Sequence, residues 1–279
     1  MTRYLAIAFT LLLACSAHAA ERKFERTFAV SPGGVLTVDS DSASVRVSGG
    51  DTNQVTVRMS AHGSDEDLDD AMLEAVQTDG GVTVTLRLRK NNWFDWRSWN
   101  RDASIEVTVP RRYGIDVHTS GGSVELADTT GTATLRSSGG SVVAKNVNGK
   151  VEARTSGGGI HAENIRGDVD AATSGGSVRL LNIDGRIRGK TSGGSVECSL
   201  AGVNRGISAT TSGGGIRVTV PRATTGDLDA TTSGGSIHSD LPVATTSQQS
   251  GQLKGTINGG GQPIEARTSG GSISLRAAN

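Results

Sequence analysis

The sequence predicts an all-β protein folded as a parallel β-solenoid, with coils of about 18 residues and one short N-terminal helix. Three observations predict this fold. Thr-Ser-Gly-Gly or a close variant recurs through the second half of the chain, apolar and polar residues alternate on both sides of each copy, and no aromatic residue follows Tyr113. A core without rings must consist of Val, Ile, Leu and Ala in thin layers, which suits stacked coils better than a sandwich.

The Ser-Gly-Gly motif recurs at a nearly fixed interval. Its serines are Ser120, Ser138, Ser156, Ser174, Ser192, Ser212, Ser233 and Ser269. The first four intervals are 18 residues, the next two are 20 and 21, and the last is 36, which is twice 18. The doubled interval predicts a degenerate copy near INGGGQPIEA, residues 257–266. Repetition at such a period is typical of solenoids.

Each repeat contains two short strands, because apolar and polar residues alternate with a period of two. The strand after the motif should turn inward Val124, Val142, Ile160, Val178, Val196, Ile216, Ile237 and Ile273. The strand before it should turn inward Ile115, Ala133, Val151, Val169, Ile187, Ile207, Leu228 and Ile264. Identical columns favour in-register stacking of like on like over a hairpin repeat, with strands about 4.8 Å apart.

Two turns close each coil. One is Thr-Ser-Gly-Gly, whose glycines permit backbone angles closed to other residues and whose hydroxyls can bond neighbouring backbone groups. The other turn carries an asparagine and then a glycine, namely Asn146 and Gly149, Asn164 and Gly167, or Asn182 and Gly185.

The region before the repeats is less regular. Residues 33–61 alternate in the same way and include Ser48-Gly49-Gly50, so we expect irregular coils there. Residues 64–77, SDEDLDDAMLEAVQ, predict the helix, because Ser64 can cap it, acidic residues fill its first turn, and its apolar residues share one face. These apolar residues are Leu68, Met72, Leu73 and Val76. Strands are expected at 82–89 and 104–109.

The first 19 residues predict a secretory signal peptide. Arg3 supplies a basic start, residues 5–14 are apolar but too short to span a membrane, and Ala17-His18-Ala19 is a small-x-small cleavage site. An alternative remains open, since Leu12-Leu13-Ala14-Cys15 resembles a bacterial lipobox in which Cys15 would be lipidated. We therefore expect export to the periplasm or the cell surface.

The expected organisation is a signal peptide at 1–19, irregular β coils with the helix and an aromatic loop at 20–118, and the repeat solenoid, continuous with them, at 119–279. The chain has 28 basic and 28 acidic side chains, and no basic stripe indicates binding to nucleic acid or to an anionic membrane. No further apolar run is long enough to span a membrane. After cleavage Cys198 is the one remaining cysteine, so no intramolecular disulfide can form.

Few residues are candidates for chemistry. The outward column with Glu152, Asp170 and Arg188 has two adjacent acids, which could bind calcium or could simply form the solvated face. His161 and His238 share a column but lie several coils apart.

The repeated serines lack recurring His and Asp partners, and no helix follows the Gly-Gly pairs as a phosphate loop requires. Cys198 lies in an inward column and should be a buried, inert thiol. We predict no catalytic residue, metal site or cofactor.

The segment WFDWRSW, residues 93–99, has four rings in seven positions. Its rings and its arginine could stack on sugars or anchor a protein partner. The candidate contact residues are Trp93, Phe94, Trp96, Arg97 and Trp99. Alternatively, the segment and the helix cap the N-terminal end of the solenoid, because exposed strand edges invite edge-to-edge growth. The C-terminus has no recognisable cap.

Two segments, FAVSPGGVLTVDSDSASVRVSGG and VTVPRRYGIDVHTSGGSVEL, followed by the TSGGS copies, resemble the bacterial "putative adhesin" family. This is a β-strand-repeat domain of unknown function, similar to head domains of auto-transporter adhesins, and the resemblance covers residues 24–277. It implies residence in the cell envelope and an adhesive or scaffolding role, and it supplies no catalytic motif. We therefore expect a non-enzymatic protein that binds an envelope glycan or protein. The alternative is a carbohydrate-active enzyme, similar to polysaccharide lyases, on a β-helix.

Overall fold

The structure is a computed structural model that describes residues 20–63, 68, 71–88 and 102–278. These residues form 25 strands. The N-terminal strands are β1 (Ala20–Ala29), β2 (Val35–Ser40), β3 (Ser44–Gly50), β4 (Gln54–Gly63), β5 (Ala71–Thr78), β6 (Gly81–Leu88) and β7 (Asp102–Pro110). The repeat strands are β8 (Gly114–Thr119), β9 (Val124–Ala127), β10 (Ala133–Ser137), β11 (Val142–Asn148), β12 (Val151–Arg154), β13 (Ile160–Arg166), β14 (Val169–Ala172), β15 (Val178–Asp184), β16 (Ile187–Lys190), β17 (Val196–Leu200), β18 (Ile207–Thr210) and β19 (Ile216–Val220). The C-terminal strands are β20 (Gly226–Thr232), β21 (Ile237–Ser239), β22 (Val243–Gln249), β23 (Gln252–Ile257), β24 (Pro263–Thr268) and β25 (Ile273–Ala277).

Two long sheets enclose one core. Sheet I has 12 strands in the order β1-β4-β7-β3-β9-β11-β13-β15-β17-β19-β25-β21, and sheet II has 13 in the order β22-β23-β20-β24-β18-β16-β14-β12-β10-β8-β2-β6-β5. Each repeat coil contributes one strand to each sheet. Equivalent strands pair in parallel, so that Val142 lies beside Ile160 and Val151 beside Val169. The predicted parallel β-solenoid is therefore confirmed.

The Thr-Ser-Gly-Gly corner leads from sheet II to sheet I. Its threonine, or the serine that replaces it, is buried and donates a hydrogen bond of 2.7–3.0 Å to a carbonyl of the neighbouring coil. In one example the Thr173 Oγ1 donates to the Gly158 carbonyl oxygen at 2.8 Å. The hydroxyl predicted to bond the backbone therefore joins two coils.

The glycines of this corner are required for a different reason from the one predicted. Among the described residues, none of them has a φ in the left-handed region. Instead, the second glycine lies directly against the backbone of the next coil. A β-carbon on Gly176 would overlap the carbonyl group of Gly158, and its equivalents meet the same obstacle. Close approach of the coils excludes a side chain there.

The opposite corner uses the left-handed region that asparagine tolerates. The φ angles of Asn146, Asn164 and Asn182 are 54°, 56° and 56°. Their amides form a ladder, because Asn164 Nδ2 donates to Asn146 Oδ1 at 3.1 Å and Asn182 Nδ2 donates to Asn164 Oδ1 at 2.6 Å. The predicted Asn-Gly turn is thus also a site of contact between coils.

At the N-terminal end the chain doubles back on itself. The coil formed by β2 and β3 lies between the β8–β9 coil and the β6–β7 coil. Beyond the β6–β7 coil the pairing becomes antiparallel. In sheet I, β4 lies between β7 and β1, and in sheet II, β5 pairs with β6. Ser48-Gly49-Gly50 lies within β3, so it is a strand segment and not a corner.

The predicted helix is wrong over residues 71–77, whereas Leu68, the one described residue of 64–70, is helical. Residues 71–77 belong to β5, which pairs with β6 along its length, while residues 64–67 and 69–70 lie outside the described residues. Ala71 and Ala75 face the core, whereas Met72 and Val76 are exposed. The apolar residues of this segment fit both the helical and the strand period. Pairing with β6 determines that the segment is a strand.

The C-terminal end also differs from the prediction. The 36-residue interval holds no degenerate coil, because β22 and β23 form an antiparallel hairpin that packs on β20. Gly259, Gly260 and Gly261 all have positive φ and turn the chain into β24. The last coil, β24–β25, then inserts between the β18–β19 coil and the β20–β21 coil.

Candidate functional site

A cleft of about 570 Å³ opens at the N-terminal end of the molecule. Two turns line it, residues 29–34 between β1 and β2 and residues 77–81 between β5 and β6, together with Asn53 and Tyr113. It lies beside the row of Asn-Gly corners, because Arg112 bridges to Thr130 and Thr130 bridges to Asn148. The cleft is therefore formed where the β1–β2 and β5–β6 turns meet at the N-terminal end.

Hydrogen bonds between distant segments fix the walls of the cleft. The Gly33 amide donates to the Arg112 carbonyl at 2.8 Å, and the Val35 amide donates to the Gly80 carbonyl at 2.8 Å. The Gln77 side chain donates to the Ala29 carbonyl at 2.8 Å. With both turns tied to the strands around them, the cleft is preformed.

Tyr113 forms part of the wall and is 1% exposed. Its ring packs under Gly34, where a β-carbon would lie 2.7 Å from the hydroxyl oxygen. Burial raises the pKa of Tyr113, because the phenolate would lose its hydration. The hydroxyl has no hydrogen-bond partner in the described part of the chain, a feature shared with Thr129 Oγ1. Buried hydroxyls are normally satisfied, so this one is an exception within the wall of the cleft.

The charged groups on the outer faces of the sheets pair mainly with one another. Glu152 lies 3.4 Å from Arg136, and Asp170 lies 3.0 Å from Arg154 and 3.8 Å from Arg188. The predicted outward column is correct, but its acids contact arginines. Among the described residues, no group of three or more His, Cys, Asp or Glu side chains could hold a metal ion.

The family described as Toastrack DUF4097 matches residues 35–276. The chain belongs to the Toastrack family. The family resemblance predicted from the sequence is therefore confirmed, as a domain of unknown function.

Several solved structures are similar to this Toastrack chain. A "putative lipid binding protein" from Parabacteroides distasonis is 15% identical, with a TM-score of 0.43, 91% of this chain covered and 96% of that one. A "putative adhesin" from Bacteroides fragilis is 13% identical, with a TM-score of 0.35, 92% of this chain covered and 97% of that one. A "putative cell adhesion protein" from Clostridium sporogenes is 11% identical, with a TM-score of 0.28, 92% of this chain covered and 100% of that one. No curated protein matches the chain.

The remaining candidates of this Toastrack protein have local roles. His161 contacts Glu163 at 3.2 Å, and His238 contacts Asp240 at 2.8 Å, so each histidine pairs with a carboxylate two positions away. Cys198 is fully buried, and burial raises its pKa to about 12, which keeps the thiol protonated and unreactive, as predicted.

The five predicted contact residues of the aromatic segment, Trp93, Phe94, Trp96, Arg97 and Trp99, lie outside the described residues. The strands on either side are described. β6 runs beside β2, and β7 runs beside β3, so the described strands that flank the segment end and begin at the row of Thr-Ser-Gly-Gly corners. Within the described ranges, no helix is long and apolar enough to cross a membrane.

Proposed function

We propose that this Toastrack protein is an exported, non-enzymatic binding or scaffolding module of the bacterial cell envelope. The observation that carries the proposal is the contrast between the repeat faces and the N-terminal end. Acids and arginines on the repeat faces largely pair with each other, whereas the N-terminal end has a preformed cleft with an unpartnered hydroxyl. Membership of the Toastrack family, a domain of unknown function, supplies no catalytic motif.

Export is part of this proposal. The predicted signal peptide comprises residues 1–19. We expect mass spectrometry of the mature protein to find Ala20 as its first residue. A diacylglyceryl-modified Cys15 at the N-terminus would instead make the protein a lipoprotein.

The aromatic segment is the proposed anchor for a large envelope partner. Trp96 and Trp99 are the residues to test, because ring anchors commonly contribute about 2 kcal/mol or more to an interface. We expect Trp96→Ala with Trp99→Ala to reduce retention on isolated cell envelopes by at least about 30-fold, with an unchanged melting temperature. Val203→Ala removes an exposed apolar side chain elsewhere and serves as the matched control.

The measurement is co-sedimentation of the purified mature protein with cell envelopes, alongside thermal melting of each variant. Wild-type protein that does not sediment with envelopes would overturn the binding function. Unchanged sedimentation of the tryptophan variant, together with a lower melting temperature, would identify the segment as a cap and remove it from the binding site.

A further inference from the structure

We propose that the N-terminal cleft binds a neutral, hydroxyl-rich ligand of the kind that a sugar unit of an envelope glycan presents. This inference rests on the proposed envelope-binding function and names the ligand class for one defined site. The described strands that flank the aromatic segment, β6 and β7, meet the other row of corners, so the cleft is proposed as a second site.

The charge of the lining indicates a ligand without negative charge. Among the described residues, no lysine or arginine lines the cleft, and Asp79 is the one carboxylate in the lining. An anionic ligand would approach this carboxylate without a cation to balance it, which is unfavourable in a partly enclosed site. A neutral ligand has no such cost.

The hydrogen-bonding groups of the lining indicate a ligand with many hydroxyls. Ser31 and Thr78 carry hydroxyls, Asn53 carries an amide, and Asp79 carries a carboxylate. Hydroxyls and amides each both donate and accept, so they match a sugar hydroxyl, which does the same. Ala29, Val30 and Pro32 supply apolar surface beside them, as small-molecule sites usually do.

The Tyr113 hydroxyl is the feature that points most directly to a ligand. It is held in the wall at 1% exposure with no partner among the described residues, although a phenylalanine would fill the same volume without a buried polar atom. The oxygen itself is buried beneath Gly34, so a ligand hydroxyl or a bound water satisfies it only when that glycine is slightly displaced. The cleft volume of about 570 Å³ lies within the usual range for small-molecule sites.

Calorimetric titration of the full mature protein with three neutral trisaccharides tests the proposal. The probes are cellotriose, maltotriose and N,N′,N″-triacetylchitotriose, with trigalacturonate as the anionic counterpart of similar size. We expect at least one neutral probe to bind and trigalacturonate not to bind. Tyr113→Phe and Thr78→Val should each weaken that binding by about 5- to 10-fold, since each removes one hydrogen bond. Ser208→Ala, which removes a hydroxyl from the outer face of sheet II, should bind as the wild type does.

The cleft proposal is overturned if no neutral probe binds, if trigalacturonate binds as tightly as the neutral probes, or if both cleft variants bind like the wild type. If the Trp96→Ala, Trp99→Ala variant loses sugar binding while Tyr113→Phe keeps it, the sugar site is the aromatic segment and the cleft proposal fails. Envelope co-sedimentation is measured on the same proteins. Retained sedimentation with failed sugar binding leaves the envelope function standing without this ligand, whereas loss of both contradicts both proposals.

Discussion

The repeat coils and the two ends of the molecule differ in how the polar groups of each coil find hydrogen-bond partners. In the repeat, each coil satisfies the polar groups of its neighbour, through the corner threonines and the asparagine ladder. An end coil has a neighbour on one side only. Both ends therefore change from parallel to antiparallel pairing, with β4 and β5 at one end and β22 and β23 at the other.

At both ends, the coil that lies outermost in the sheets is not the coil that comes first or last in the sequence. The first coil, β2–β3, and the last, β24–β25, each insert one position inward and gain a neighbour on both sides. Terminal segments are the part of a chain that frays most readily. At the C-terminal end this leaves the outermost positions to β21 and β22, which are continuous in sequence on both sides, whereas at the N-terminal end β1 is the outermost strand of sheet I.

The largest expected loss of stability comes from a charge in an inward column, and its size should differ between the middle of the solenoid and its C-terminal end. Val178 is 0% exposed between Ile160 and Val196, so Val178→Asp should lower the free energy of unfolding by about 3–5 kcal/mol through an unpaired buried charge. Ile237→Asp, in the outermost C-terminal coil, should cost less because Ile237 is only partly buried. Urea melts measure both.

Arg179→Asp is the control for the adjacent outward position. Arg179 is exposed and lies 3.5 Å from Glu197, so its change should cost about 1 kcal/mol or less. Equal losses for Val178→Asp and Arg179→Asp would contradict the assigned inward and outward faces.

The next effect concerns the contact between coils at the glycine corners. Gly176→Ala should destabilise the protein by about 2–3 kcal/mol, because the new methyl group overlaps backbone that cannot move aside without shifting a coil. Gly80→Ala, in the N-terminal turn, meets no atom within 4 Å and should be nearly neutral. Denaturant midpoints distinguish them, and similar values for the two variants would show that the coils can separate freely at this corner.

The sequence predicted the repeat well because every coil meets the same surroundings. Eighteen-residue spacing fixes which residues stack, and the inward columns, such as Ile160 on Val178, pair as expected. It could not predict the order of the end coils. Ile207, Leu228 and Ile264 have similar apolar side chains, so the pattern fits either order, and only the hydrogen bonding of β24 to both neighbours distinguishes them.

The cleft was missed for a related reason. Its walls come from residues 29–34, 53, 77–81 and 113, which are distant in sequence and carry no shared motif. One signal was available, since Tyr113 is the last ring in a chain whose later core has none. The aromatic segment, with four rings in seven positions, is the stronger signal in the sequence. The helix prediction over 71–77 also concealed the cleft, because the turn that forms one wall exists only when β5 is a strand.

A smaller loss of stability is expected when a corner threonine loses the hydroxyl that donates to a carbonyl of the adjacent coil. Thr173→Val keeps the shape of the side chain but leaves the Gly158 carbonyl without its donor, so the cost should be about 1–2 kcal/mol. Thr173→Ser retains the donor and should recover most of this loss. If Thr173→Val is as stable as the wild type in urea, the corner hydrogen bonds do not hold the coils together.

The ends offer a test that involves association more than stability. Arg22 donates to the carbonyls of Leu68 and Ala71 at 2.7 and 2.9 Å, and Arg26 donates to the Ala75 carbonyl at 3.1 Å, which blocks the free edge of β5. We expect Arg22→Gln with Arg26→Gln to change the free energy of unfolding by less than about 1 kcal/mol but to promote self-association. Sedimentation velocity measures it, with the exposed Lys23→Gln as control. Unaltered sedimentation would show that this edge needs no protection.

The smallest effect on stability is expected for Tyr113→Phe, and it should differ in sign from that of Thr173→Val. Both changes remove a buried hydroxyl, but Thr173 has a partner in the next coil and Tyr113 has none among the described residues. Removing an unsatisfied buried hydroxyl relieves its desolvation cost, so Tyr113→Phe should leave the free energy of unfolding unchanged or raise it by up to about 1 kcal/mol. Tyr113→Leu, which loses the ring under Gly34, should instead destabilise the N-terminal end and shows that the assay detects this site. Urea melts of the three variants provide the comparison. A loss of more than about 1 kcal/mol for Tyr113→Phe would mean that the hydroxyl is already satisfied in the free protein, and the end would then resemble the repeat in satisfying its own polar groups.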